Sequence, residues 1–333
     1  MDGWEEEAER DEEAFEAEEG VVGKEVEAEA GGADMKIAVA SGKGGTGKTT
    51  VAVGLALSLA EAGGGAGEAP PPLLLDCDVE APDAHLFLRP TVKRSVEAVL
   101  SVPRILPERC ILCGDCVEAC QFNALALLGE EVHIFAELCH ACGSCGLVCP
   151  TGAIVETPRR VGVLEEGRTD TLRFGRGVLD VGEAMPVPVI RQLKEWLQPA
   201  PGQVLVLDTP PGTSCPMVET VADTDFVLLV TEPTPCGLHD LELAVEVARE
   251  LNLPAGVVVN RDGIGDAGVD DFCRREELPV LLRIPFRRDI AEGIARGRGL
   301  LEIAPEYGEI FREMATRIRH LIPVARSEER RPA

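Results

Sequence analysis

The chain has 333 residues, 45 % of them hydrophobic, and carries a formal net charge of -26 at pH 7. That composition supports a sizeable core and excludes a globally disordered chain, and the length suits one large domain with a modest insertion. The acidic balance argues against a nucleic-acid partner, since such affinity rests on Lys and Arg, and no apolar run approaches the ~18–20 residues of a membrane span.

The first segment, Asp2 to Asp34, is rich in Glu, Ala and Gly, with Arg10 and Lys24 as its basic residues. A self-repelling block without apolar periodicity is expected to be a disordered acidic tail over 1–34. It reads as a solvated appendage, a partner-docking tail, or sequence upstream of a start at Met35. Its acidity lacks the basic region of a signal peptide, so a cytoplasmic protein is expected.

Lys36 to Ala40 reads as a buried strand, followed by a glycine-rich turn and a helix over Lys48 to Ala60. Leu73 to Asp76 is a second strand, reached through a loop over Gly63 to Pro72, and Val96 to Leu100 suggests a short helix. From Arg104 to Thr157 the chain is Cys- and Gly-rich without a helix-length amphipathic stretch. Val161 to Met185 reads as irregular strands and Val189 to Leu197 as a helix. Strands at Val204–Asp208, Phe226–Thr231, Gly256–Asn260 and Leu281–Ile284 then alternate with helices at Leu238–Leu251 and Asp270–Leu278. Helices at Asp289–Arg296 and Tyr307–Leu321 close the chain. Short, wholly apolar strands alternating with helices predict an α/β fold, a mostly parallel central sheet flanked by helices. Strand order cannot be read from this pattern.

Gly42-Lys43-Gly44-Gly45-Thr46-Gly47-Lys48-Thr49 fits G-x-x-x-x-G-K-[ST] between a strand and a helix, the context such a phosphate-binding loop requires. The glycines let backbone N–H groups turn towards a β-phosphate, and the helix N-terminus adds positive potential. Lys48 is expected to neutralise the β- and γ-phosphates of ATP, and Thr49 to offer its hydroxyl to Mg²⁺. Asp208 ends the strand VLVLD, the position that holds Mg²⁺ through water, and Thr209 to Gly212 follow as a γ-phosphate sensor. Asp76 and Asp78 end another strand, where ligands bind in open α/β sheets; helix capping or turn chemistry for the following Val79 to Asp83 is the less favoured alternative.

Eight of the 12 cysteines fall in one window. Cys110-x2-Cys113-x2-Cys116-x3-Cys120 and Cys139-x2-Cys142-x2-Cys145-x3-Cys149-Pro150 each match the bacterial ferredoxin run, in which the fourth cysteine reaches the other cluster. The expected ligand sets for two [4Fe–4S] clusters are therefore Cys110, Cys113, Cys116 and Cys149 for the first, and Cys139, Cys142, Cys145 and Cys120 for the second. CVEACQFNAL parallels CGLVCPTGAI, an internal repeat, although Gln121 stands where the first run would carry Pro. Zinc sites use separated CxxC pairs around one tetrahedron, which these runs do not offer. Cys77, Cys215, Cys236 and Cys273 lie outside any CxxC and read as small hydrophobes. His140 sits within the second run, either tuning the cluster or simply at the surface. The last helix is amphipathic, which core packing explains better than lipid binding in so acidic a chain.

GKGGTGKT, with its extra Lys43, resembles the deviant Walker A motif of the MinD/ParA class of P-loop ATPases. The resemblance runs from Met35 to about Leu321 around the Cys-rich segment. DCDVEAPDAHLFL, DTPPGTSCP, TEPTPCGLHDLELAVE and IPFRRDIAEGIARG look like the subgroup with an inserted two-cluster ferredoxin domain. Cys236 departs from the Phe expected there. This resemblance implies a nucleotide cradle of Gly42, Gly44, Gly45, Thr46, Gly47, Lys48, Thr49 and Thr50. Lys43 would reach a partner subunit's phosphates in a nucleotide-dependent homodimer, Asp78 would position the attacking water, and Asn260 and Arg261 would lie in the adenine-contacting region. It divides the chain into ATPase segments 35–103 and 158–323, an α+β ferredoxin-like insertion over 104–157 and a flexible tail over 324–333.

Three functions compete on this reading: nucleotide-gated electron transfer to a redox partner, ATP-dependent iron–sulfur or metallocofactor assembly, and a regulatory ATPase with structural or redox-sensing clusters. One cysteine for every cluster iron suits retained redox clusters, so electron transfer is favoured. No nucleic-acid partner and no stable membrane insertion are expected.

Overall fold

The computed structural model describes residues 35–62 and 70–323. The acidic tail, most of the Gly63–Pro72 loop and the 324–333 tail lie outside the described residues. β1 (Met35–Ala40), β2 (Leu73–Asp76), β8 (Val204–Asp208), β9 (Phe226–Thr231), β10 (Ala255–Asp262) and β11 (Val280–Pro285) are the short apolar strands expected from the sequence. With β3 (Thr91–Ile105), β6 (Ile154–Arg168) and β7 (Arg173–Leu179) they form one nine-stranded sheet in the order β11-β10-β9-β1-β8-β2-β7-β6-β3. Pairings from β11 through to β7 are parallel. β6 runs against both of its neighbours.

Alternation along the strands sorts the core into two layers. Ile37 and Val39 face one side of β1 with Leu74, Val206 and Leu228 beside them, while Ala38 and Ala40 face the other with Val227 and Leu229. The first layer packs under α1 (Lys48–Ala62) and the C-terminal α11 (Tyr307–Leu321). α1 is buried along most of its length because α11 covers the side turned away from the sheet. Their contact is close: a Cβ at Gly54 would lie 2.6 Å from the Phe311 ring. The opposite layer packs under α5 (Pro186–Trp196), α6 (Cys215–Val221), α7 (Pro235–Glu250) and α8 (Gly268–Arg275). Thr234 caps α7, its hydroxyl accepting from Gly237 N at 3.0 Å, and Pro235 supplies the preset first-turn φ.

Val96 to Leu100 is not the short helix expected. It lies inside β3, which pairs antiparallel with β6 from Thr91↔Arg168 to Ile105↔Ile154. Val92, Val96, Val99 and Val102 favour the extended state locally, but the partner that commits them to it is more than 50 residues away. The irregular strands expected over Val161 to Met185 are likewise two ordered strands, β6 and β7. β3 and β6 carry the chain out to the Cys-rich segment, so the limits expected at 103/104 and 157/158 fall within paired strands.

Between these strands lie α3 (Asp115–Ala119), the hairpin of β4 (Leu125–Leu128) with β5 (Glu131–Ile134), and α4 (Ser144–Val148). Among the described residues, no helix is long and apolar enough to cross a membrane.

Phe311 is fully buried in the α1–α11 contact. Phe311→Ala is expected to lower the free energy of unfolding by about 3–5 kcal/mol, the cost of deleting a buried ring and leaving its cavity. Urea unfolding followed by circular dichroism measures this.

Candidate functional site: a phosphate loop over buried carboxylates, and two cysteine pockets

The phosphate loop leaves the C-terminal end of β1, and neighbouring strand ends supply the groups around it. Register places Asp76 of β2 directly beside Asp208 of β8, and Asp208 beside Val39 of β1. Thr209 N donates to Val39 O at 3.1 Å, Cys77 N to Asp208 O at 2.9 Å and Gly212 N to Ser41 O at 3.1 Å. These bonds lock the Thr209–Gly212 turn and the Asp76–Asp78 turn to the base of the loop.

One cleft gathers Gly44, Gly45, Gly47, Lys48, Thr49, Thr50, Asp78, Asn260 and Arg261, which the sequence singled out. Gly47 has φ +95°, and a Cβ there would lie 2.4 Å from Asn260 Nδ2. Gly42 cannot carry a side chain because Asp240 O would lie 2.1 Å from its Cβ. Asn260 Nδ2 donates to Thr46 O at 2.7 Å, and Arg261 Nη2 to Gly45 O at 3.2 Å. In this structure both residues therefore brace the loop backbone while lining the cleft. Arg261 also pairs with the buried Glu232. Lys43 points away from the cleft, 3.8 Å from Glu232 and 3.9 Å from Asp240.

Several lining residues stand in the quoted family-like segments without having been given a role from the sequence. Phe87, Pro285, Phe286, Ile290 and Ile294 add an apolar wall to the cleft, with Arg287 beside them, and Asp83 joins the carboxylates. Phe286 and Arg287 stand in the quoted IPFRRD stretch, which was the available signal.

The electrostatics are unusual. Asp76 and Asp208 are fully buried. Asp76 accepts from Asp78 N at 3.2 Å and from Ala84 N at 3.0 Å, yet burial, with Asp208 adding to it, holds its carboxyl well above the usual range. Burial raises Asp208 to about 7, against the pull of the Thr49 hydroxyl and Lys48. Neither Asp208 oxygen accepts a hydrogen bond of ordinary geometry, so Thr49 acts on it only as a nearby dipole. Burial also raises Asp78, to about 6, with Lys48 opposing. The buried Thr46 hydroxyl has no partner either. Orphaned acceptors beside a phosphate loop fit a divalent cation and a phosphorylated ligand, which would supply the missing partners.

The eight window cysteines form two pockets. Cys110, Cys113, Cys116 and Cys149 line one; Cys120, Cys139, Cys142 and Cys145 line the other. The two halves share their turn geometry and a matching pair of N–H to sulfur bonds. Leu112 and Gly114 have left-handed backbones, as do Ala141 and Gly143 at the same offsets, and Asn123 matches Gly152. Ala124 N donates to Cys120 Sγ at 3.3 Å and Ala153 N to Cys149 Sγ at 3.2 Å. The halves differ at the second pocket, where His140 stacks on Phe122 with ring centroids 3.8 Å apart. Burial raises Cys116 and Cys145, whereas the Ser144 hydroxyl, 3.4 Å away, lowers Cys142. Among the described residues no three cysteine sulfurs lie within 4.8 Å of one another; Asp76, Asp83 and Asp208 offer the group of three ligand atoms that do.

The profile of the CobQ/CobB/MinD/ParA nucleotide binding domain matches residues 37–301, well over half of the chain. The chain belongs to this family. The member described here is 29 % identical over 248 residues to the uncharacterized protein MJ0578 of Methanocaldococcus jannaschii, covering 74 % of this chain and 86 % of that one. A shorter stretch of 130 residues is 25 % identical to an iron–sulfur cluster carrier protein of the same organism, covering 34 % of this chain and 45 % of the relative. The septum site-determining protein MinD of Pyrococcus horikoshii, solved with Mg-ADP, shares the fold: TM-score 0.53 at 18 % identity, covering 85 % of this chain and 95 % of that one.

Charging Asp208 costs stability. Because its folded pKa is raised, stability is greatest while it is protonated and falls as pH rises from about 4 towards 7. Asp208→Asn is therefore expected to stabilise the nucleotide-free chain at pH 8, by at most about 4 kcal/mol. The gain should shrink as pH is lowered to 5, as measured by urea unfolding at both pH values.

Proposed function

We propose that this family member is an ATPase whose nucleotide cycle gates electron transfer through two [4Fe–4S] clusters held in a ferredoxin-like insertion over residues 104–157. The observation that carries the reading is the sorting of the eight cysteines into two pockets, each built from three close cysteines and the fourth of the opposite run. A zinc tetrahedron would bring thiolates to about 3.8 Å from one another, given its ~2.3 Å bonds. Among the described residues no three of these sulfurs come within 4.8 Å of one another, which favours a multi-iron core over one zinc. Bound there, such clusters would supply one-electron transfer. The chain's own part is to bind them with eight thiolates, to bury Cys116, Cys139 and Cys145, and to donate Ala124 and Ala153 N–H groups to the crossing sulfurs.

At the nucleotide site Lys48 and the loop N–H groups hold the phosphates, Thr49 and Asp208 hold Mg²⁺, and Asp78 orients the attacking water. Lys43, resting on Glu232 and Asp240 in the single chain, reaches the partner's phosphates in a nucleotide-dependent homodimer. Coupling between the sites has a physical route. Val79, one residue beyond Asp78, shares a continuous apolar core with Leu100, Val102, Cys116, Cys139 and Cys145. Leu179 N also donates to Val79 O at 2.8 Å, tying that turn to β7. The likeness to an iron–sulfur cluster carrier favours a second reading, ATP-dependent delivery of clusters.

Anaerobic purification is expected to yield about eight irons and eight sulfides per chain. The clusters' reduction potential should differ with and without a non-hydrolysable ATP analogue. Equal potentials and equal transfer rates would count against gating. Loss of the clusters to an apo-acceptor within minutes would favour delivery, and stoichiometric zinc would end both readings.

Cys145→Ser is expected to remove the second cluster while the first keeps its four ligands. Iron content should fall by about half, measured together with paramagnetic resonance of the reduced protein.

A further inference from the structure

The cysteine segment is built twice, so each half serves as a control for the other. Aligned on the two runs, Ile111 matches His140, Leu112 matches Ala141, Glu118 matches Leu147 and Ala119 matches Val148. The shared turns and N–H to sulfur bonds place the same demands on both halves. The surfaces differ. Ile111 and Leu112 line the first pocket and are 63 % and 38 % exposed. Leu147 and Val148, at the end of α4 and just before Cys149 of that pocket, are 88 % and 41 % exposed. Around the second pocket the matching positions hold Ala141, Glu118 and Ala119, and His140 with its ring stacked on Phe122. A single exposed leucine is ordinary. Four exposed apolar side chains set around one pocket, and replaced around its twin, mark an interaction site.

We propose that the first pocket is the electron exit of this chain, and that Ile111, Leu112, Leu147 and Val148 dock a one-electron acceptor protein whose apolar contact patch is ringed by Lys and Arg. The proposal rests on the electron-transfer reading and adds to it the face that meets the partner. Transfer between proteins weakens steeply with distance, so an acceptor must sit against the rim of a pocket. Charge then selects the occupant. Residues 104–157 carry seven carboxylates against two arginines, all of them exposed. Glu108 and Asp115 each stand within two residues of a first-pocket cysteine. An apolar centre with an acidic rim steers and holds a basic partner. The same rim repels an anionic lipid surface and a second copy of this chain. Four side chains make a small contact, of the class that weak redox encounters use, and an acceptor held so lightly leaves once it is reduced.

The test uses the full chain, purified without oxygen, and cytochrome c, a lysine-rich one-electron carrier, as the probe. Calorimetry measures ferric cytochrome c binding to the oxidised chain. Stopped flow then measures its reduction by chain that has been reduced with dithionite and freed of it. One electron leaves the chain for each ferric haem that becomes ferrous, and no atom or proton is exchanged. Leu147→Gln is expected to weaken binding and slow transfer about tenfold, the effect of losing one leucine-sized apolar contact. Both quantities should also fall as salt is raised. Leu147 is almost wholly exposed, so its variant should keep the fold and the wild-type iron content. Leu128→Gln, on the β4–β5 hairpin outside both pockets, should leave binding and transfer unchanged. Reduction of ferrocenium carboxylate, a small one-electron acceptor of no net charge, should proceed equally in wild type and Leu147→Gln. If Leu147→Gln binds or reduces cytochrome c as wild type does, or if salt has no effect, the docking face is overturned and electron transfer stands. Self-association, or binding to phosphatidylcholine vesicles, that Leu147→Gln abolishes would assign the face to a second copy or to lipid and overturn the proposal as well. A chain that reduces neither acceptor sinks the electron-transfer reading itself.

Discussion

Two carboxylates buried side by side at the ends of adjacent parallel strands organise this molecule. Asp76 and Asp208 face one another because β2 and β8 are in register, and neither is exposed. An apolar core tolerates such a pair only if something compensates it. Asp76 has backbone N–H donors; Asp208 has none. The site is thus folded in a state that a cation and a polyphosphate together would relax, and the phosphate loop, Lys48 and Thr49 are arranged around that deficit.

The same turn joins the site to the rest of the chain. Val79 follows Asp78 and packs into the apolar layer that continues beneath β3 and β6 to the cysteine pockets. A shift of the Asp76–Asp78 turn would therefore meet packed side chains rather than solvent, and packed cores transmit displacements rather than absorb them. β3 and β6 add a second link, since both strands belong to the central sheet at one end and to the Cys-rich segment at the other. The Cys-rich segment thus continues from the sheet's edge rather than hanging on a linker.

Much of this was legible in the sequence. The phosphate loop, the strand ending in Asp208 and the two cysteine runs are local patterns; the structure brings most of the loop to one cleft and each set of four cysteines to one pocket. The short apolar strands were equally clear. What misled was Val96 to Leu100, a five-residue stretch too short for periodicity to decide between helix and strand. Asp83, Phe286 and Arg287 escaped because their roles depend on which elements meet across the cleft. Asn260 and Arg261 were recognised, but their grip on Thr46 O and Gly45 O follows from the approach of β10 to the loop.

By itself the sequence determined the local patterns: a glycine-rich phosphate loop ahead of a helix, aspartates at strand ends and two tandem cysteine runs, since these are set by residue type and by spacing over a few positions. Only the tertiary structure decided which carboxylates share one buried site, how β3 and β6 weld the cysteine segment to the sheet, and which apolar wall closes the cleft. Those are matters of register and packing between strands and helices far apart in the chain. No local pattern encodes them, because the energy that selects them arises only when the partners meet.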